Sequence, residues 1–373
     1  MDTEVLIIGA GPYGISIANE LHARNIPFVV SGNPFSLWFN HTQKNMAIRS
    51  DWHTSEIYHP EHTYDFKKFL LEFYPQEIES ILKARIPSSI FREYLHNILS
   101  RLPFEIHRYK VTELIHNGKS FTATFADGSN ISSKKVIIAT GIEAHKYIPS
   151  VLKTFDQQYL IHTWDIEQFE NISNKNILVL GNGQSAGEAI ALLKANNRLD
   201  WASRSRPIFF NEPINLPTPI FNLFLNISPF FFFIPKFLKK ILGKKFVEAT
   251  ITPDLQTELT AQEVTHHLIS AENLKLSIQN GLLYSEVLSK TFDCIIAATG
   301  YKYSIDNLIF IEKTLRNRLE LSGSTPKLNF NFETSVKNLY MAGGIAEPVY
   351  GPAQRFIMGT SHAAKRLGKV LSK

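Results

Sequence analysis

Two stretches of this chain, EVLIIGAGPYGISIANEL at residues 4–21 and NILVLGNGQSAGEAI at 176–190, follow one plan. Each is an apolar run, a Gly-x-Gly turn and a helix start rich in small residues, and no other feature restricts the fold as strongly. An apolar run of this length reads as a strand buried on both faces. The turn lets a helix begin directly against the strand, with its first N–H groups facing a bound anion. A further strand follows each unit, at "PFVV" (27–30) and "LDWASRS" (199–205), which completes two β-α-β units. Both halves later return to a strand ending Ala-Thr-Gly, at 139–141 and 298–300. This internal repeat predicts an α/β fold with two Rossmann-like dinucleotide-binding domains. The second is inserted in the first: residues 1–160 and 290–373 form one domain and 161–289 the other.

Elsewhere the chain reads differently. Helical periodicity marks YDFKKFLLEFY (64–74) and SSIFREYLHNILSRL (88–102). Alternating strands at 109–116, 120–126 and 129–141, with turns at Asn117-Gly118 and Asp127-Gly128, predict a small antiparallel β-meander. The closing segment pairs a strand, NLYMAGG, with one long helix, GPAQRFIMGTSHAAKRLGKVL (351–371).

The glycines have separate tasks. Gly9 permits the tight turn, Gly11 lets the backbone approach a pyrophosphate, and Gly14 lets the helix pack close to the strand. The following strand ends Val30-Ser31-Gly32 without an acid, so Ser31 or Asn33 must hold the ribose. The second unit has Gly181, Gly183 and, in the third position, Ala186. Its next strand ends in ASRSR, with Ser203 and Arg204. Arg204 is placed to meet a 2′-phosphate, which selects NADPH over NADH; a pair of solvated surface arginines is the alternative.

Composition removes several function classes. The net charge of +5 owes much to Lys236, Lys239, Lys240, Lys244 and Lys245, and no nucleic-acid motif accompanies it. The single cysteine, Cys294, sits in the apolar run FDCIIAATG, which excludes a Cys-x-x-Cys redox pair and an internal disulfide. No basic leader precedes the first strand, so the cytoplasm is the expected compartment. His53, His59 and His62 have no standard ligand spacing, and no metal site is expected. The apolar, basic insertion at about 213–248 is too broken by Asn, Ser and Pro to span a bilayer. It reads as a helical cover over the active site, as a peripheral membrane contact through 220–245, or as an oligomer interface.

Together these residues resemble the flavin-dependent monooxygenases with two dinucleotide-binding domains. That group includes flavin-containing monooxygenases, ornithine and lysine N-hydroxylases and Baeyer–Villiger enzymes. GAGPYG is similar to their FAD fingerprint. LWFNHTQKNMAIRSDW, with Trp38, Asn45, Met46, Ser50 and Asp51, resembles the segment under the flavin ring. FDQQYLIHTWD is similar to the F-x-G-x-x-x-H-[ST] signature, with Phe155, His162 and Thr163; the glycine is missing and one residue is added. GNGQSAGE resembles the NADPH turn, AATGY the Ala-Thr-Gly-Tyr element, and FFNEP, with Phe210, Asn211 and Glu212, a segment near the amino-acid site of N-hydroxylases. Many relatives carry Gly-Asp where this chain has Gly343-Gly344.

The resemblance implies FAD contacts at Pro12, Tyr13, Arg49, Val111, Thr140, Gly141 and Gln354, and NADPH contacts at Gln184, Ser185, Thr299, Gly300 and Tyr301. It implies catalytic roles for Asn211, Arg49 and Gln184. Arg49 either holds a substrate carboxylate or pairs with Asp51. Arg355 either supports reduced flavin or binds a surface carboxylate. The long closing helix is expected to aim its N-terminus at the flavin. The implied reaction is NADPH-dependent oxygenation of a small nucleophile (an amine, amino acid or sulfur compound) through a flavin C4a-(hydro)peroxide. Two alternatives stay open: a reductase passing electrons to a membrane quinone or other carrier, and a flavin-binding protein without catalysis.

Overall fold

The computed structural model describes residues 2–44, 46–50, 52–83, 85–209, 228–235, 239, 250–260 and 264–372. Two sheets organise it. The first holds β1 (Asp2–Ile8), β2 (Phe28–Ser31), β3 (Ile106–His107), β4 (Val111–His116), β5 (Phe121–Phe125) and β6 (Asn130–Ile138), in the order β3-β2-β1-β6-β5-β4. The strand Leu339–Met341 also pairs with β6. β6 therefore forks. Asn130–Ser133 pair antiparallel with β5, whereas Val136–Ile138 pair parallel with the late strand. Along its other edge β6 lies parallel to β1, with Ile8 opposite Ile138. The apolar run Val5–Ile8 is 0–4% exposed, which is why it shows no alternation.

The second sheet has the order β10-β9-β8-Cys294–Ala297-β7, where β7 is Leu160–His162, β8 Asn176–Leu180, β9 Arg198–Ser203 and β10 Thr265–Leu268. All its pairings are parallel. Successive residues of β8 feed opposite cores: Ile177 and Val179 pack with Trp201 and Leu255, while Leu178 and Leu180 pack with Leu152 and Phe292. Residues 290–373 were expected with the first sheet, but Cys294–Ala297 lies between β8 and β7 in the second. Asp293 divides the expected run into Lys290–Phe292, part of a three-stranded antiparallel sheet, and this parallel strand.

The closing helix is also shorter than its sequence suggests. It spans Thr360–Leu371, and 352–359 form two short 3₁₀ turns at Pro352–Arg355 and Ile357–Gly359. The cause is Tyr13. Its hydroxyl donates toward the carbonyls of Gln354 (3.0 Å) and Phe356 (3.2 Å), oxygens that a continuous helix would use internally. Phe356 is extended (φ −117°, ψ 163°), and a Cβ at Gly359 would collide with the Tyr13 hydroxyl. The helix N-terminus expected at 351 therefore lies at Thr360 instead.

Of the 213–248 insertion, the structure describes 228–235 and Lys239. Phe232 packs against Tyr350 and Phe330, and Lys239 donates to the carbonyls of Phe232 (2.9 Å) and Val349 (2.8 Å). Phe230 and Phe233 are exposed. Among the described residues, no helix is long and apolar enough to cross a membrane.

Candidate active site

A cavity of about 620 Å³ opens at the ends of β1, β2 and β6. Gly9 (φ +118°) turns the chain out of β1 so tightly that a Cβ there would lie under 3.0 Å from the Ala139 carbonyl. A Cβ at Gly14 would overlap the Gly9 carbonyl, so only glycine allows the helix Pro12–Ala23 to start this close. Gly11 is different: nothing lies within 4 Å of its missing side chain, and it lines the cavity as the helix N-cap. No side chain caps this helix, which leaves its first N–H groups for a ligand.

Most of the expected first-site residues meet here. Pro12, Tyr13, Ser31 and Asn33 line the cavity on the fingerprint side, and Trp38, Ser50 and Gln354 line its wall, with Val111, Thr140, Gly141, Gly343 and Gly344. Ser31 is 1% exposed and donates its hydroxyl to the Ile7 carbonyl (3.3 Å), so the side chain serves β1. Tyr13 is partly buried, and burial raises its pKa well above the usual value, so it remains a hydroxyl donor clamping the 353–356 turn. Met46 is absent from the lining; its carbonyl accepts from Ser88 N–H (2.9 Å). Asn45, Asp51, Phe210, Asn211 and Glu212 lie outside the described residues.

Gln354 tests whether a cofactor fits. It is 0% exposed, lines the cavity, and neither its amide nitrogen nor its oxygen has a partner among the described residues. A buried primary amide left unpaired costs about 1–3 kcal/mol. A ligand edge carrying both a donor and an acceptor, as a flavin pyrimidine does, would satisfy it. The uncapped helix and open Gly11 suit a pyrophosphate at the other end, so the donor set fits FAD.

The second turn repeats the first. Gly181 has φ +139°, and a Cβ there would lie under 3.0 Å from the Ala298 carbonyl, as at Gly9 and Ala139. Gly183 caps the helix Gln184–Leu193 without a side-chain bond, and Ala186 is fully buried in the third position. Ser185 lies in the first turn of this helix, and Arg204 is exposed just beyond β9. Ser203 is buried, donates to the Ser205 carbonyl (2.7 Å) and lies 2.8 Å from His266 Nε2. Gln184 turns its amide inward. Its amide nitrogen donates to Glu188 (2.7 Å) and Thr252 (3.0 Å), and its oxygen accepts from Thr252 N–H (2.9 Å).

The second Ala-Thr-Gly turn is tied to the segment that follows the first. Thr299 donates its hydroxyl to the Tyr147 carbonyl, Tyr147 N–H donates to the Gly300 carbonyl (2.9 Å), and Tyr301 forms a bridge with Lys146. Burial lowers the His162 pKa, and both ring nitrogens are used. Nε2–H donates to the Gly300 carbonyl (3.2 Å), and Nδ1 accepts from Trp164 N–H (3.0 Å). Trp164 then lines the first cavity and stacks on His41 at 4.0 Å. One short segment thus braces both sites.

Sequence reasoning missed Arg85. Its guanidinium donates to the Ile48 carbonyl (3.2 Å) and to Ala47, beside the first cavity, and also to Thr252 (2.9 Å) and Asp254 (2.5 Å) of the second unit. Glu188 lies 3.9 Å away. No motif marks this residue, because its partners are distant in sequence. Arg49 donates to Thr250 and does not line the cavity; burial, then the charge of Arg85, lowers its pKa. Arg355 lines the cavity, pairs with Glu347 (3.3 Å) and lies over the Tyr303 ring (5.4 Å); Glu347 itself is not part of the lining. Among the described residues, no group of three His, Cys, Asp or Glu could hold a metal ion.

Two sheets, each with a glycine turn and an uncapped helix, define a protein of the two-dinucleotide-domain oxidoreductase class. The family model for pyridine nucleotide-disulphide oxidoreductases matches residues 6–216, more than half of the chain, and the chain belongs to that family. It is similar to trimethylamine monooxygenase of Pelagibacter ubique (29% identity over 51% of this chain and 47% of that protein). It also resembles an uncharacterized CzcO-like oxidoreductase of Geobacillus kaustophilus (25% identity over 91% and 90%). The chain spans about half the length of the first curated relatives it matches. In fold it is similar to the ornithine N-hydroxylase of Kutzneria sp. 744, with a TM-score of 0.81, 14% identity, and 100% and 99% coverage.

Proposed function

We propose that this chain is a flavoprotein monooxygenase that binds FAD in the 620 Å³ cavity and NADPH at the Gly181–Gly183 turn. Its substrate would be a small nucleophile such as an amine, amino acid or sulfur compound. The observation that carries the reading is the pairing of a glycine-turn cavity, with its unpaired Gln354 amide and uncapped helix, with the burial of the only cysteine. Cys294 is 4% exposed in the second sheet, and burial pushes its thiol up to about 11, so no dithiol can take the electrons. The names of similar proteins support oxygen as the acceptor, including trimethylamine monooxygenase and ornithine N-hydroxylase.

The bound cofactors would supply the redox chemistry, with NADPH as hydride source and oxygen as electron acceptor. The protein's share is placement. The helix Pro12–Ala23 holds the pyrophosphate, Gln354 reads the flavin edge, and Trp38 and Trp164 wall off water. Arg204 meets the 2′-phosphate of NADPH, and Arg85 fixes the second unit against the cavity wall.

Purified protein loaded with FAD and supplied with NADPH should consume oxygen, and an amine or amino-acid panel should yield products heavier by one oxygen. NADPH oxidation that requires an added quinone, without oxygenated product, would replace this reading with the carrier reductase. Arg204→Ala should weaken NADPH about tenfold and leave NADH unchanged; equal effects would remove Arg204 from the site.

A further inference from the structure

Gly344 begins the 3₁₀ turn Gly344–Ala346, directly after the strand Leu339–Met341 and Gly343, and it lines the flavin cavity. The space where its side chain would stand is filled. A Cβ on Gly344 would lie under 3.0 Å from three atoms of the Tyr303 phenol, its oxygen among them. Tyr303 itself lines the cavity. No described residue makes a hydrogen bond to its hydroxyl; the one bond at this residue is Ser324 donating to its backbone carbonyl (2.9 Å).

We propose that the Tyr303 hydroxyl takes the place of a polar side chain at position 344 and donates a hydrogen bond to the ribityl side of the flavin half of FAD. The proposal rests on the FAD reading above. Three facts support the role. Arg355 over one face (5.4 Å) and His145 (4.8 Å between ring centroids) hold the ring in place. Burial raises the phenol to about 12, so the hydroxyl keeps its proton and acts as a donor. Position also matters: Gly343–Gly344 follow the strand that pairs with β6, whereas Ser31 ends β2 on the opposite side of β1, where the adenosine ribose is expected.

The origin of Tyr303 adds a consequence. It lies three residues beyond Gly300, on the chain leaving the second sheet, so the turn that serves one nucleotide supplies a ligand for the other.

The test compares FAD with ADP, which carries the adenosine half alone, as ligands of the apoprotein. Tyr303→Phe keeps the ring and its packing. It should weaken FAD about 3- to 10-fold, the worth of one neutral hydrogen bond, and leave ADP unchanged. In a Tyr303→Ala background, adding Gly344→Ser places a hydroxyl in the emptied space and should recover most of the lost FAD affinity. Unchanged FAD binding in Tyr303→Phe, equal losses for FAD and ADP, or no recovery on adding Gly344→Ser would each overturn the proposal. Wild-type protein that takes ADP but not FAD would be a different failure, that of the flavin reading itself.

Discussion

The two glycine turns share a backbone and differ in their surroundings. Gly9 and Gly181 both have positive φ, and both leave no room for a Cβ against the carbonyl of an Ala-Thr-Gly strand. Around Gly9 the chain builds a cavity of about 620 Å³, closed by segments from 36–50, 303–310 and 343–357. Beyond Gly181 the ends of β9 stay open, with Arg204, Ser205 and Arg206 exposed. Even Gln184, at the helix start, is bonded inward to Glu188 and Thr252. Under the proposed function the same anion-binding device would serve two kinds of occupancy. A ligand enclosed on several sides dissociates slowly and suits a resident cofactor, while a ligand on an open edge exchanges with each turnover.

Paired substitutions at the turns probe this contrast most strongly. Gly9→Ala should yield protein that retains no FAD, with affinity down about 100-fold, because it combines strain at positive φ with a carbonyl clash. Gly181→Ala should keep its flavin, read from its visible absorbance, and lose NADPH binding to a similar degree. Flavin loss in both variants would show that the two turns act as one cooperative unit.

Arg85 tests how the unequal sites are joined. Replacing it with Met keeps the stem but removes the bonds to Ile48, Thr252 and Asp254 and takes a cation from beside the largely buried Glu188, which keeps its bond from Gln184. The expected loss is about 2–4 kcal/mol in urea unfolding. Separation of one unfolding transition into two would identify Arg85 as the coupling between the units.

The smallest effect concerns the first unit alone. Burial, then the charge of Asp65, raises the Glu56 carboxyl from 4.5 to about 7. The folded state therefore holds this proton more tightly than the unfolded chain. Its stabilising contribution is full below pH 4.5 and is lost as pH rises through 7. Glu56→Gln keeps an acceptor for Phe66 N–H, so its melting temperature should match wild type near pH 4 and exceed it at pH 8 by a few degrees. An equal shift at both pH values would show that Glu56 does not titrate in this window.

The parts legible in the sequence were those fixed by near neighbours along the chain. Gly9, Gly11 and Gly14 lie within six residues, so strand, turn and helix could be read together, and the meander followed from Asn117-Gly118 and Asp127-Gly128. What escaped depends on distant partners. The segment 351–371 has helical composition, but one phenol from Tyr13 captures carbonyls more than 300 residues away and breaks the helix. Arg85 and Tyr303 carry no motif for the same reason. Cys294–Ala297 was assigned to the wrong sheet because two buried parallel strands look alike until their neighbours are known.

The fork in β6 also has a meaning for the time course of synthesis. Its outer half is paired by β5 almost as soon as it is made, but its inner half waits for Leu339–Met341. At ribosomal speeds of about 5–20 residues per second, that wait lasts roughly 10–40 s, long enough for the whole second sheet to emerge. The nascent chain therefore carries an unfinished first sheet past the strands of the second, and the cavity wall at Gly343–Gly344 closes only once Leu339–Met341 has paired.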